Sequence, residues 1–91
     1  MPLHSAASAR NLDAARLLLE HGAPVNARQQ LGWVPIHAAA QNGDRTMVEL
    51  LLKQGADPTI TNEDGKSPAN VARDKGHTEI ADLLEQRAPK S

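Results

Sequence analysis

Hydrophobic positions along this chain come in short blocks, and each block ends at Gly, Pro or an Asn/Asp pair. The middle of the sequence shows it best: Pro35-Ile36-His37-Ala38-Ala39-Ala40 stops at Asn42-Gly43, and Met47-Val48 with Leu50-Leu51-Leu52 stops at Gly55. Proline costs nothing at a first helical turn, because that amide has no intrahelical acceptor. The pattern therefore predicts one helix over residues 35–41, closed near Gly43 by glycine's access to left-handed backbone. A second helix is predicted to start near Asp44, whose carboxylate suits both an N-cap and the positive end of the helix dipole. Its apolar arc of Met47, Val48, Leu50, Leu51 and Leu52 is wide enough to require neighbours on two sides. Arg45, Glu49 and Lys53 occupy the remaining strip and should face water, with Glu49 ahead of Lys53 in the favourable order.

Laid against itself, the sequence repeats. Pro2, Pro35 and Pro68 are 33 residues apart, Leu17-Leu18-Leu19 falls on Leu50-Leu51-Leu52, and Gly22-Ala23 falls on Gly55-Ala56. A worn third copy keeps register through Pro68-Ala69-Asn70-Val71-Ala72, Gly76-His77 and Leu83-Leu84. A fixed period of this length indicates stacked helix-turn-helix units. Between the helix pairs, Pro58 and the Asn62-Glu63-Asp64-Gly65 cluster forbid helix, while Thr59-Ile60-Thr61 is briefly strand-like. An extended finger with a tight turn near Asp64-Gly65 follows, matched in residues 23–34 by a finger with Leu31-Gly32-Trp33 at its turn.

These residues resemble the ankyrin repeat family, above all Pro35-Ile36-His37-Ala38-Ala39, Asn42-Gly43-Asp44 and Leu50-Leu51-Leu52-Lys53-Gln54-Gly55-Ala56-Asp57-Pro58. The resemblance implies an all-α solenoid with β-hairpin-like finger loops, built as a single domain over residues 1–91. Its repeats would run over 2–30 (without a leading finger), 31–63 and 64–91. The family's Thr before the proline is here Met1, Val34 and Ser67, and its His is His4, His37 and then Asn70. The hydroxyl–imidazole tie between neighbouring loops is therefore expected to be weakened in every copy. Glu85 stands where Leu19 and Leu52 stand earlier, which gives the last repeat the polar outer face of a cap. Leu12, Ala15 and Leu19 of the first copy are expected to lie partly bare.

Composition narrows the function classes. The chain has 91 residues, 40% of them hydrophobic and nearly all small or aliphatic, and only 1% aromatic. Ala and Leu at this density favour closely approaching helices over a sheet. A formal charge of −1 argues against a nucleic-acid grip. No apolar run nears the roughly 20 residues of a membrane span, so a soluble chain is expected. Cysteine is absent, which excludes disulfides and thiol chemistry and fits a cytoplasmic setting.

Searching for chemistry finds little. His4, His21, His37 and His77 include no i, i+4 pair and no His-Glu-x-x-His. Gly-x-Gly-x-x-Gly, Walker and Gly-x-Ser-x-Gly signatures are also missing. The aspartates scatter over turns, and Arg10, Arg16, Arg28 and Arg45 spread over different faces. The chain is thus expected not to be an enzyme, with no catalytic, cofactor-binding or metal-ligating residues.

What the resemblance implies instead is a protein-binding module that engages another protein through its concave finger and first-helix face. Carried onto this sequence, the partner-binding residues are Arg28, Gln30, Leu31 and Trp33 on the first finger, Gln41 and Asn42 beside it, Lys66 on the second finger and Asp74 on the following helix. Ser8, Ala9, Thr61, Glu63, Asp64 and Lys75 fill out the same face. Two other readings stay open: an inhibitor or regulatory subunit that blocks a partner enzyme, and a structural repeat fragment without a dedicated ligand. The expected state is a monomer, with the bare N-terminal face open to weak self-pairing. Trp33, the one aromatic residue, carries two readings. It is either an exposed binding anchor, as its match to Lys66 suggests, or a cover folded over the neighbouring finger or first helix.

Overall fold

A computed structural model of the chain describes residues 3–88. The expected start of the first helix at Pro2, the Met1 position and the last three residues of the third repeat lie outside that range. The described residues form six α-helices: α1 (Leu3–Ser8), α2 (Leu12–Glu20), α3 (Pro35–Asn42), α4 (Arg45–Lys53), α5 (Pro68–Asp74) and α6 (Thr78–Arg87). Consecutive helices pair as α1–α2, α3–α4 and α5–α6. Across pairs, α1, α3 and α5 stack in an inner row, and α2, α4 and α6 in an outer row.

The elements begin and end where local chemistry dictates. Asp44 caps α4, its Oδ1 accepting from Met47 N–H at 3.3 Å, and Asn11 caps α2 in the same way with Ala14 N–H at 3.0 Å. Gly43 closes α3 in left-handed backbone at φ 64°. An added Cβ there would come within 2.7 Å of the His77 ring, so glycine serves both the turn and the approach of the next pair.

Close approach of the inner row rests on small side chains. Ala6, Ala7, Ala39, Ala40 and Ala72 are fully buried, and beneath them Ile36, Met47, Val48, Leu51 and Leu84 fill the space between the two rows. Each of these larger side chains contributes about 1.5–3 kcal/mol on burial. The wide arc on α4 is explained by its place between α2 and α6. Leu51 is wholly buried, while Leu50 and Leu52 at the arc's edges are half-buried against the core.

Four expectations are corrected by tertiary structure. The fingers contain no strand among the described residues; the first turns through a 3-10 segment at Gln30–Gly32, and each finger is closed by a few backbone hydrogen bonds. Glu49 bonds Arg45 at 2.7 Å rather than Lys53. On α2 the bare residue is Leu17, at 56% exposure, whereas Ala15 is buried and Leu12 and Leu19 are half-covered. Its match one period on, Leu50, leans toward α2, but no described helix lies beyond α2 to cover Leu17. Finally, the loop tie at His37 is intact. Val34 N–H donates to Nδ1 at 3.2 Å, and with Nδ1 accepting, Nε2–H donates to the Lys66 carbonyl at 3.0 Å. The imidazole needs no hydroxyl partner because backbone groups serve both nitrogens.

At the far end, Arg73 of α5 forks onto both Glu85 oxygens at 2.6 Å and also reaches Asp82 at 3.4 Å. This network occupies the polar outer face expected of the last repeat.

Candidate functional site

Finger tips and inner helices together make a continuous face. The first tip is shaped by Gln29 N–H bonding the Trp33 carbonyl and Gly32 N–H bonding the Gln29 carbonyl. The second repeats this one period later, with Asn62 N–H to the Lys66 carbonyl and Gly65 N–H to the Asn62 carbonyl. Asn62 is buried, and its Oδ1 also accepts from the Asp64 and Lys66 amides at 2.9 and 3.1 Å, which fixes the turn. The tips are joined where Glu63 N–H donates to the Leu31 carbonyl at 2.9 Å. Gly32 fits under that contact because a Cβ on it would lie 3.0 Å from the Glu63 nitrogen.

Leu31 is the anomaly of the tip. It holds left-handed backbone at φ 64° and its side chain is 61% exposed. A non-glycine residue at such a φ is strained, and an exposed leucine gains nothing from folding. Trp33 follows it, half-buried, with its ring 5.3 Å from the His37 ring at a tilt of 57°. The indole thus partly covers His37 while keeping an open edge. It forms a ridge between two hollows. One, of about 350 Å³, is lined by Gln30, Leu31, Trp33 and Gln41 together with His4, Ser8, Gln29 and Ala38. The other, of about 220 Å³, is lined by Trp33, Gln41, Lys66 and Asp74 with Val71 and Lys75.

Six of the eight residues singled out from the sequence therefore border one two-part groove. Lys66 and Asp74 are ion-paired across its far rim, which raises the ammonium pKa above its ordinary value through the bond to Asp74. Arg28 and Asn42 are engaged within the chain instead. Arg28 donates to the Thr61 carbonyl at 3.0 Å, and Asn42 Nδ2 donates to the Ser8 carbonyl at 2.9 Å while its own carbonyl accepts from Arg10 at 2.8 Å. Sequence reasoning missed His4, Gln29, Ala38 and Val71 as lining residues, although Ala38 and Val71 share one place in the 33-residue period, on successive inner helices.

His4 also borders the first hollow. Burial holds its pKa below the usual histidine value, and its Nε2 is enclosed without a hydrogen-bond partner among the described residues. His37 is likewise pushed down by burial, opposed by its bond to the Lys66 carbonyl and reinforced by the nearby Arg28 and His4. In both imidazoles burial favours the neutral form. Among the described residues no three His, Cys, Asp or Glu side chains assemble as a metal-ligand set. No described helix is long and apolar enough to cross a membrane.

A family model described as ankyrin repeats, in three copies, matches residues 1–62. No curated protein matches the chain in a sequence search. Beyond the matched residues, α5 and α6 continue the same helix-turn-helix stacking, with the Ser67-Pro68 start and the finger before it in register. With helix pairs, fingers and matched residues in agreement, the chain belongs to the ankyrin repeat family, whose repeats are generally protein–protein interaction modules.

Proposed function

We propose that the chain binds a protein partner through the groove on either side of Trp33, with Leu31 and Trp33 as anchors and Gln30, Gln41, Lys66 and Asp74 as polar surroundings. The observation that carries this reading is Leu31. Its backbone is strained and its side chain is exposed at the mouth of the larger hollow. The exposed side chain gains nothing in the isolated chain, and it becomes useful when a partner covers the tip. Trp33 adds a large apolar edge beside it, and Trp is the residue type most enriched at binding hot spots. The mixed lining offers the combination of apolar centre and polar rim that interfaces use.

Capture from a lysate of the source cells, followed by mass spectrometry, tests the reading when three variants run beside the wild type. Leu31→Asn removes the apolar side chain and suits left-handed backbone, so it leaves melting unchanged or raised. It should lose the captured protein, as should Trp33→Ala, by about 2 kcal/mol or more in affinity. Leu17→Ser, at the other exposed leucine, should retain it. A partner held equally by all three variants would refute the assignment.

A further inference from the structure

The outer row of helices carries a second surface, on residues the finger face does not use. Arg16 of α2, Lys53 of α4 and Arg87 of α6 line one open hollow of about 460 Å³, together with Glu49 and Leu50. These cations are far apart in sequence and become neighbours only through stacking, one from each helix pair. Among the described residues, none of the three has a carboxylate within ion-pairing distance. Glu49, the acidic residue in the hollow, is already bonded at 2.7 Å to Arg45, which lies outside it. On a chain whose formal charge is −1, this face gathers three cations that form no ion pair, with Glu20 in the adjoining hollow as the remaining acidic group.

We infer that the outer face binds an acidic peptide segment, with Asp or Glu side chains meeting Arg16, Lys53 and Arg87. Charge complementarity selects the occupant. Guanidinium groups pair carboxylates in fork geometry, and Lys53 adds a point charge between them in chain order. Packed helices are about 8–10 Å apart, so the three outer helices span roughly 16–20 Å. An extended segment of about six residues covers that distance. Leu50 gives the segment an apolar spot in the same hollow.

Other polyanions fit less well. A nucleic-acid strand is held by a longer run of phosphate contacts and by aromatic stacking, and the sole aromatic residue, Trp33, borders the finger-face grooves instead. Membrane-binding basic patches use clusters of about four to eight cations. The three cations here fall short of that number.

The test uses hexaglutamate as the probe and the full chain labelled for amide NMR, with affinity read by fluorescence anisotropy. Saturable shifts should appear at Arg16, Leu50, Lys53 and Arg87 and not at Leu31 or Trp33, and binding should weaken steeply as salt rises. Lys53→Glu should weaken binding several-fold, and adding Arg16→Glu should take the loss past about tenfold. Both side chains are exposed, so melting should hold. Lys75→Glu makes the same change in net charge beside the Trp33 groove and should leave the affinity unaltered. Shifts scattered over the whole surface, an undiminished affinity in the double variant, or no binding would overturn the proposal. So would tighter binding of oligothymidylate or phosphatidylserine vesicles than of hexaglutamate. Because the finger face is not involved, failure here leaves the Trp33 reading standing.

Discussion

Replacing His37 tests the loop tie most directly. The residue is fully buried, and its ring serves two backbone groups: the Val34 amide at 3.2 Å and the Lys66 carbonyl at 3.0 Å. In His37→Ala the Val34 N–H, on a residue that is itself fully buried, is left without its acceptor, at a cost of about 1–3 kcal/mol. The Lys66 carbonyl keeps the Asn62 amide, so only the net worth of one hydrogen bond is lost there, about 0.5–1.5 kcal/mol. The combined loss of about 2–4 kcal/mol weighs heavily against the roughly 5–14 kcal/mol typical of a chain this size. In a thermal melt followed by far-UV circular dichroism the midpoint should fall by about 10–25 °C. The third repeat supplies the control. There Asn70 replaces the histidine, and its Oδ1 accepts from the Ser67 amide at 3.1 Å. His37→Asn should thus keep the acceptor for Val34, lose only the reach to Lys66, and cost about half as much. Equal losses in the two variants would show that the orphaned amide is not the cause, and an unmoved midpoint in both would refute the energetic role of the tie. The same residue sets a pH dependence. Burial lowers the pKa of His37 and His4, so the unfolded chain binds the proton more readily. The stability from keeping them neutral is complete above the ordinary histidine pKa of about 6.5 and is lost as pH falls below it. Asp57 and Glu85, whose pKa values are also lowered, add their losses only below about pH 4.5. Wild-type melting should therefore decline between about pH 7 and 5, and His37→Asn should flatten that decline.

Two leucines of identical chemistry should respond very unequally to truncation. Leu51→Ala should cost about 2–5 kcal/mol in urea unfolding because it leaves a cavity in a fully buried site. Leu17→Ala, at 56% exposure, should cost under about 1 kcal/mol, and a comparable loss at both would mean that the outer face of α2 is covered in solution. Gly43→Ala should destabilise by about 1–3 kcal/mol, since it combines left-handed backbone at φ 64° with a Cβ 2.7 Å from the His77 ring. Removing the ring in Gly43→Ala/His77→Ala should recover part of that loss, and a double variant no more stable than Gly43→Ala would argue against the steric part.

Backbone choices set by residues a few positions away could be read from the sequence alone. The helix breaks at Gly43 and Gly55, the Asp44 cap and the finger turns depend on neighbours a few positions away, and the structure holds them as expected; that copies stack followed from the 33-residue period itself. Most of the groove was legible too, because finger tips and first helices recur at a known offset. What a residue meets across the boundary between copies was not legible. Leu17 and Leu50 are the same residue at the same point of the period, yet one faces water and the other leans on α2. The tie at His37 was expected to be weakened without a hydroxyl neighbour, and its acceptor lies 29 residues away in the next finger. Within a single copy, too, side chains were not settled: Glu49 has Arg45 and Lys53 one turn away on either side along α4, and only side-chain placement decided for Arg45. Arg16 read as one of several arginines on different faces and Lys53 as part of a water-facing strip, and only the stacking of the outer helices sets them beside Arg87. Backbone choices are local because turns and caps are made by atoms nearby in the chain. Burial and charge pairing belong to the stack, because they depend on which surface the next repeat brings up against them.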